Sequence, residues 1–147
     1  LHMSKPRILI VEDEALTVFA LNRELTGLGF EVAGHASSAA DALRAAETVR
    51  ADVVLMDIQL AGGISGIAAA AAIRGQLDIP VVFLTAHAAD GTLARAVQAG
   101  AFGYLLKPYT SAALQAAIAI ALHKHARESA MRRALSARAA FYREVKT

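Results

Sequence analysis

The sequence lacks several residue types and patterns, and each absence excludes a class of protein. It has no cysteine, which excludes disulfide bonds, thiolate catalysis and cysteine-ligated zinc and is compatible with a reducing compartment. The 56% hydrophobic content includes 35 alanines, and only 5% of the residues are aromatic. No apolar run approaches the ~20 residues that span a bilayer. The first residues, Leu1-His2-Met3-Ser4, show no basic region followed by an apolar segment. We therefore expect no secretion signal, no membrane contact and a cytoplasmic location.

The chain is long enough for one domain with an appendage, and its charge divides in the same way. Residues 1–122 carry 8 Lys/Arg against 11 Asp/Glu, whereas residues 123–147 carry 7 against 2. The pI of about 9.2 therefore reflects the excess of basic residues at the end of the chain. We predict a globular domain over 4–122 and a basic helical extension over 123–147, and we expect Leu1 and His2 to come from the expression vector.

Four short apolar runs each stop at polar residues. They end at Glu12 and Asp13, at Asp57, at Thr85 and at Lys107. Uninterrupted aliphatic runs are typical of strands buried on both faces of a parallel sheet, and ligands bind such sheets at the carboxyl ends of the strands. Three carboxylates, a hydroxyl and an ammonium at one edge are the groups needed to hold a divalent cation and a phosphoryl group.

Segments with helical spacing separate the apolar runs and predict an alternating fold. The predicted strands are 8–11, 31–36, 53–56, 81–84 and 102–106, the second being an edge strand, and the predicted helices are 15–28, 39–50, 66–76, 92–99 and one from 110 or 111 onward. This alternation requires parallel strands with right-handed crossovers and helices on both faces. We predict an α/β flavodoxin-like fold, with a doubly wound five-stranded sheet of order 2-1-3-4-5 that places Glu12, Asp13 and Asp57 in one crevice.

Four motifs at these strand ends carry a family resemblance. They are Ile-Val-Glu-Asp-Glu at 10–14, Val-Leu-Met-Asp at 54–57, Leu-Thr-Ala at 84–86 and Gly-Tyr-Leu-Leu-Lys-Pro at 103–108. Because all four occur in order, residues 1–122 resemble the CheY-like receiver domain of two-component response regulators. The resemblance implies that Asp57 accepts a phosphoryl group from a sensor histidine kinase or a histidine phosphotransfer protein, and that the domain then acts on an output partner.

The residues themselves favour the same chemistry. A carboxylate such as Asp57 can attack phosphorus and form an aspartyl phosphate. With Glu12 and Asp13 nearby the site approaches a charge of −3, which would repel a phosphoryl group unless Mg²⁺ or Mn²⁺ neutralised it. We expect Asp13 and Asp57 as direct metal ligands and Glu12 as a direct or water-bridged ligand. Lys107 and Thr85 would stabilise the phosphoryl oxygens, although singly the acids and Thr85 could also be helix caps or turn formers.

The resemblance assigns further roles. It adds the backbone carbonyl of Gln59 to the metal ligands, makes Tyr104 a switch residue that turns inward on activation, and predicts a cis peptide bond before Pro108. It also gives Gln59 and His87 positions that tune the lifetime of the phosphoryl group. The loop after Asp57 departs from the family, because it lacks a proline four residues past the acceptor and has its later glycine, Gly66, one place further along.

The end of the chain predicts one long helix. No glycine follows Gly103 and no proline follows Pro108, so a helix starting near Ser111 meets no breaker. One apolar stripe should face the core (Leu114, Ile118, Leu122) and a second should follow it (Met131, Leu135, Ala139, Tyr142). Such a helix must protrude, break or pack on a partner. A connector or dimerisation helix is favoured, and self-association through the face of helix 92–99, the last strand and the final helix is also open.

The sequence therefore predicts a phosphorylation-controlled response regulator that is catalytic only toward itself. Phosphorylation is expected to shift the face formed by helix 92–99, the last strand and the final helix toward a partner-binding state. A competing hypothesis is a regulator that binds nucleic acid through its basic extension, but 25 residues with few aromatics cannot form a helix-turn-helix domain, so we do not expect nucleic acid as a partner. A phosphohydrolase of the haloacid-dehalogenase type also uses an aspartate at a strand end. That family needs a second aspartate two residues later, where this chain has Gln59.

Overall fold

The computed structural model describes residues 4–60, 66–86 and 102–146. The strands are β1 (Arg7–Val11), β2 (Glu31–Ala36), β3 (Val53–Asp57), β4 (Val81–Thr85) and β5 (Gly103–Leu106). The helices in these ranges are α1 (Ala15–Gly27), α2 (Ala39–Val49), α3 (Gly66–Leu77) and α4 (Ser111–Lys146). Each lies within a residue or two of its predicted bounds. The predicted helix 92–99 and the predicted loop 61–65 fall outside the described residues.

All five strands form one parallel sheet of order β2-β1-β3-β4-β5, which confirms the predicted topology. Every residue of β3 and β4 is buried, because these strands lie inside the sheet with helices over them. β2 is the predicted edge strand. Its pairing with β1 shifts after Ile8, which lies opposite Val32, while Leu9 lies opposite Gly34. The extra residue in β2 is the sign of a β-bulge, a common feature of sheet edges.

Alternate residues of the central strands enter two separate cores. Leu9, Val54 and Phe83 pack on the face covered by α2 and α3. Ile10 and Leu55 pack on the opposite face with residues of α1 and α4. Both faces of each strand need apolar side chains, and this requirement explains why the sequence shows continuous aliphatic runs rather than alternation.

α4 is continuous over 36 residues and so measures about 54 Å. Its first turns bury Leu114, Ile118 and Ala121 completely, and Leu122 packs partly against the same core. The predicted core-facing stripe is thus confirmed. The second predicted stripe lies on an exposed surface, with Met131, Leu135 and Tyr142 all more than half exposed. Among the described helices, none combines the length and apolarity needed to cross a membrane.

Candidate functional site

Three carboxylates meet at the carboxyl edge of the sheet. Glu12 and Asp13 follow β1 directly, and Asp57 is the last residue of the neighbouring strand β3. Each of the three offers a carboxylate oxygen, and these oxygens all lie within 4.8 Å of one another. Glu12 and Asp57 are buried, at 4% and 9% exposure, while Asp13 is exposed. The cluster therefore has two buried carboxylates and one that is accessible from solvent.

The two oxygens of Asp57 have different partners. Oδ1 accepts a hydrogen bond of 2.8 Å from the backbone N–H of Gln59, whose side chain is exposed. Oδ2 lies 3.2 Å from Nζ of Lys107. The side chain of Asp57 is therefore held in one orientation by a backbone donor on one side and by a cation on the other.

Lys107 is positioned by the end of β5. Its backbone N–H donates a hydrogen bond of 2.8 Å to the carbonyl oxygen of Thr85, which joins the ends of β4 and β5. Thr85 itself is buried, with 1% exposure. The Lys107–Pro108 peptide bond is cis, the isomer that the resemblance implies. The structure thus brings Asp57, Thr85 and Lys107 to the same edge of the sheet.

Glu12 shows the electrostatic cost of clustering acids. Its pKa is raised to about 8, first by burial and then by its hydrogen bond with Asp57 and the negative charge of that residue, with a smaller contribution from Asp13, while Lys107 acts in the opposite direction. Oε2 of Glu12 is buried and has no hydrogen-bond partner. A buried carboxylate oxygen without a donor, beside two other carboxylates, fits a hard divalent cation such as Mg²⁺, which prefers oxygen ligands.

Gly66 is a site residue whose role the sequence does not predict. It is the first residue of α3, and a Cβ atom there would lie 3.1 Å from the carbonyl oxygen of Asp57 and 3.3 Å from Sδ of Met56. α3 can approach the end of β3 only because this position has no side chain. The sequence signal was a glycine at the start of the helix that follows the acceptor loop, in a place that departs from the family pattern.

The remaining predicted residues lie at the edge of this site or beyond what the structure describes. Tyr104 is on the edge strand β5, opposite Phe83, and its side chain is half exposed. In the predicted switch, the ring of Tyr104 would therefore begin in this half-exposed position and turn inward. His87 lies outside the described residues. The backbone of Thr85 lies near Asp57, since the preceding residue, Leu84, pairs with Asp57 across β4 and β3.

Known proteins resemble this chain in sequence. The family model described as the response regulator receiver domain matches residues 8–119. The chain is 37% identical over 118 residues to the transcriptional regulatory protein PdtaR of Mycobacterium tuberculosis, covering 80% of this chain and 57% of the relative. It is 38% identical over 102 residues to the response regulator UvrY of Escherichia coli, covering 68% and 46%. The chain spans about half the length of these curated relatives.

Solved structures show the same fold. The signal receiver domain of a modulated diguanylate cyclase from Desulfovibrio desulfuricans has a TM-score of 0.78 and 35% identity, covering 84% of this chain and 98% of that one. The signal receiver domain of the putative response regulator NarL from Mycobacterium tuberculosis has a TM-score of 0.76 and 28% identity, covering 82% and 98%. In each case the neighbour is matched over nearly its whole length.

Proposed function

Since the chain belongs to the response regulator receiver domain family, we propose that it accepts a phosphoryl group on Asp57 and changes its interactions as a result. The donor is a phosphohistidine of a sensor kinase or of a histidine phosphotransfer protein. The observation that carries the proposal is the convergence of the Asp57 carboxylate with two further carboxylates and with Nζ of Lys107, 3.2 Å away. An ordinary helix cap or turn residue needs no such set of partners.

The transfer uses the side chains as the structure holds them. A carboxylate oxygen of Asp57 attacks phosphorus, the bond from phosphorus to the histidine nitrogen breaks, and its electron pair stays on the imidazole. Oδ1 keeps its hydrogen bond from the N–H of Gln59, and Oδ2 is the proposed nucleophile because its partner Lys107 is a flexible side chain that can follow the phosphoryl group. Lys107 then moves its hydrogen bond from that oxygen to the transferred phosphoryl oxygens, while the hydroxyl of Thr85 donates to the same group.

A divalent cation fits the three carboxylates. Asp13 and Asp57 would bind it directly, Glu12 directly or through water, and the backbone carbonyl of Gln59 would complete the protein ligands. When bound, Mg²⁺ or Mn²⁺ neutralises the acids and the incoming phosphoryl oxygens. Glu12 would be stabilised most by the cation, since its buried Oε2 has no hydrogen-bond donor.

The decisive experiment is intact-mass analysis of the protein after incubation with acetyl phosphate and Mg²⁺. We expect one added phosphoryl group in the wild type and none in Asp57→Asn. The matched control is Asp52→Asn, just before β3, where the side chain accepts a hydrogen bond from the backbone N–H of Arg7 and, among the described residues, contacts none of the proposed site. Labelling that persists in Asp57→Asn, or that disappears in Asp52→Asn as well, would contradict the assignment.

The phosphoryl group is removed by hydrolysis of the aspartyl phosphate, which makes the protein catalytic only toward itself. We propose that Gln59 and His87 set the rate of this step, because they lie two residues beyond Asp57 and Thr85, at positions that tune the lifetime of the phosphoryl group in the family that the chain resembles. Decay of the phosphorylated protein, followed by intact mass, should change in His87→Ala. Equal decay in His87→Ala and wild type would remove His87 from the proposal.

The response to phosphorylation is proposed to involve Tyr104 and a change in partner binding. The half-exposed ring of Tyr104 turns inward when Thr85 moves to the phosphoryl group, and an amphipathic phenol can occupy either position at small cost. The partner is an output protein or a second copy of the chain, bound through the surface of β5 and α4 or through the exposed part of α4. Size-exclusion chromatography with and without acetyl phosphate distinguishes these cases.

A further inference from the structure

A second cluster of charges lies at the opposite edge of the sheet, around Asp78. This residue follows α3 and adopts a left-handed backbone conformation with φ 54°. Its Oδ1 lies 3.0 Å from Nη1 of Arg74 and 3.4 Å from Nε2 of His125, and its Oδ2 accepts a hydrogen bond of 2.7 Å from Nη2 of Arg132. One carboxylate thus meets one basic group from α3 and two from α4.

The same part of α4 makes further contacts with α3 and with Phe102. Arg74 lies 3.8 Å from Glu128, and its guanidinium stacks over the ring of Phe102 at 4.1 Å. Phe102 is buried and also meets His125 edge to face at 5.8 Å, with Nζ of Lys124 at 5.6 Å from its ring. Cations over an aromatic face are attracted to it, more strongly where water is excluded. The segment from Lys124 to Arg132 is therefore held from two sides.

The contacts at this junction are mainly electrostatic. A cleft of about 410 Å³, lined among others by Asp78, Pro80, Leu122 and His125, adjoins the ion pairs. The side chain of Met131, the large aliphatic residue of this segment, is exposed, so the segment does not bury an apolar stripe here. Attraction between partly exposed charges weakens as ionic strength rises, so the junction should be sensitive to salt.

We infer that Asp78 is an anchor by which residues 124–132 of α4 dock on the receiver core, so that the helix leaves the core only beyond Arg132. The surface is the end of α3 with Asp78 and the ring of Phe102, and its partner is this chain's own helix. The basic extension is then not a free connector from residue 123 onward. Its direction relative to the phosphorylation site is set by the anchor.

Hydrogen exchange measured by mass spectrometry on peptides covering 124–132 tests the anchor. We expect exchange in this segment to rise on the order of 5-fold in Asp78→Asn, because a network of partly exposed ion pairs contributes modestly to local stability. Asparagine tolerates the left-handed backbone conformation, so the substitution removes charge without straining the turn. Unchanged exchange in Asp78→Asn would overturn the inference.

A second variant guards against a general loss of structure in Asp78→Asn. Arg132 lies on the exposed surface of α4, and glutamine at this position keeps a good helix former. Arg132→Gln should therefore raise exchange in the same peptides. Arg133→Gln, at the neighbouring position, should not. The double variant Asp78→Asn/Arg132→Gln should exchange little faster than Asp78→Asn alone, because Asp78→Asn already removes the ion pair with Arg132. Full additivity, or an equal effect of Arg133→Gln, would contradict a specific anchor.

Salt provides a readout that a purely structural role of Asp78 would not affect. Raising the ionic strength should accelerate exchange of residues 124–132 in the wild type and have a smaller effect in Asp78→Asn, which has already lost the charge. Exchange of the peptides covering β3 should stay constant in both proteins. The same salt response in wild type and variant would show that Asp78 does not act through its charge.

Discussion

Replacing Gly66 by alanine tests how closely α3 must approach the end of β3. The added Cβ would lie 3.1 Å from the carbonyl oxygen of Asp57, 3.3 Å from Sδ of Met56 and 3.4 Å from the carbonyl oxygen of Ile58. Two of these neighbours are backbone atoms at the end of a buried strand, so they cannot rotate away as a flexible side chain could. Methionine can adjust, but the helix and the strand must separate by a few tenths of an ångström.

The magnitude follows from two opposing effects. Overpacking a buried position costs about 1–3 kcal/mol, whereas replacing glycine by alanine in a helix gains up to about 1 kcal/mol. The gain is smaller at Gly66, because it is the first helical residue. We therefore expect Gly66→Ala to lower the free energy of unfolding by about 1–2 kcal/mol. The shift also displaces the backbone that carries Asp57, so phosphorylation by acetyl phosphate should slow.

The matched control is Gly75→Ala in the same helix. A Cβ atom at Gly75 would meet nothing within 4 Å, so this variant should gain about 0.5–1 kcal/mol from helix propensity and phosphorylate at the wild-type rate. Urea unfolding followed by circular dichroism measures both variants, and intact mass follows labelling over time. If Gly66→Ala were as stable as Gly75→Ala, the proposed close contact between α3 and β3 would be refuted.

Three further predictions concern the cap of α2, the packing of α4 and the charges around Asp78. Ser38→Ala removes the acceptor of the 3.2 Å hydrogen bond from the N–H of Asp41 at the start of α2 and should cost about 1 kcal/mol in urea unfolding; no loss would mean that solvent replaces the cap. Ile118→Ala in the core should cost about 2–5 kcal/mol, whereas Ile120→Ala, 57% exposed, should cost less than about 0.5 kcal/mol; equal effects would contradict the packing of α4. Burial acts to raise the pKa of Asp78, but the hydrogen bond from Arg132 and the charges of His125, Arg132 and Arg74 outweigh it and lower the pKa. A lowered folded-state pKa contributes stability above the unfolded-state pKa that is lost as pH falls through the folded value, so acid should remove at most about 1 kcal/mol, after allowance for solvent screening, from the wild type relative to Asp78→Asn; parallel acid profiles would contradict this.

The sheet and the acid cluster could be predicted because both depend on local patterns. Strands buried on both faces require continuous aliphatic residues, and the polar residues that follow β1 and β3 must meet at one edge once the strand order is known. Predicting that Glu12, Asp13 and Asp57 lie together required that strand order and no knowledge of side-chain packing. The buried face of α1 was less accessible to prediction: Leu16 and Phe19 are exposed, while Leu21 and Leu25 enter the core, because the sheet selects the face.

Contacts between distant helices could not be predicted. The pairing of Arg132 with Asp78 joins residues 54 positions apart and exists only because α4 is long enough to pass the edge of the sheet. The spacing of Arg74 and Asp78 indicates an ion pair between neighbouring turns, but nothing in it indicates a third partner from α4. The close contact at Gly66 could not be predicted either, since the distance between a helix and a strand is set by packing and not by the sequence pattern of the helix or the strand.

The two edges of the sheet are connected by α4, and this limits how a signal can reach the end of the chain. Ser111, the first residue of α4, follows shortly after Lys107 in the sequence. Its hydroxyl donates a hydrogen bond of 2.8 Å to Glu24 of α1. Arg132 meets Asp78 about 32 Å further along the helix, and buried side chains fix the turns between. The part of α4 between these two contacts cannot tilt without breaking one of them. The proposed phosphorylation of Asp57 would therefore redirect the part of α4 beyond Arg132 only by breaking its contact with Asp78 or by moving α3 together with α4.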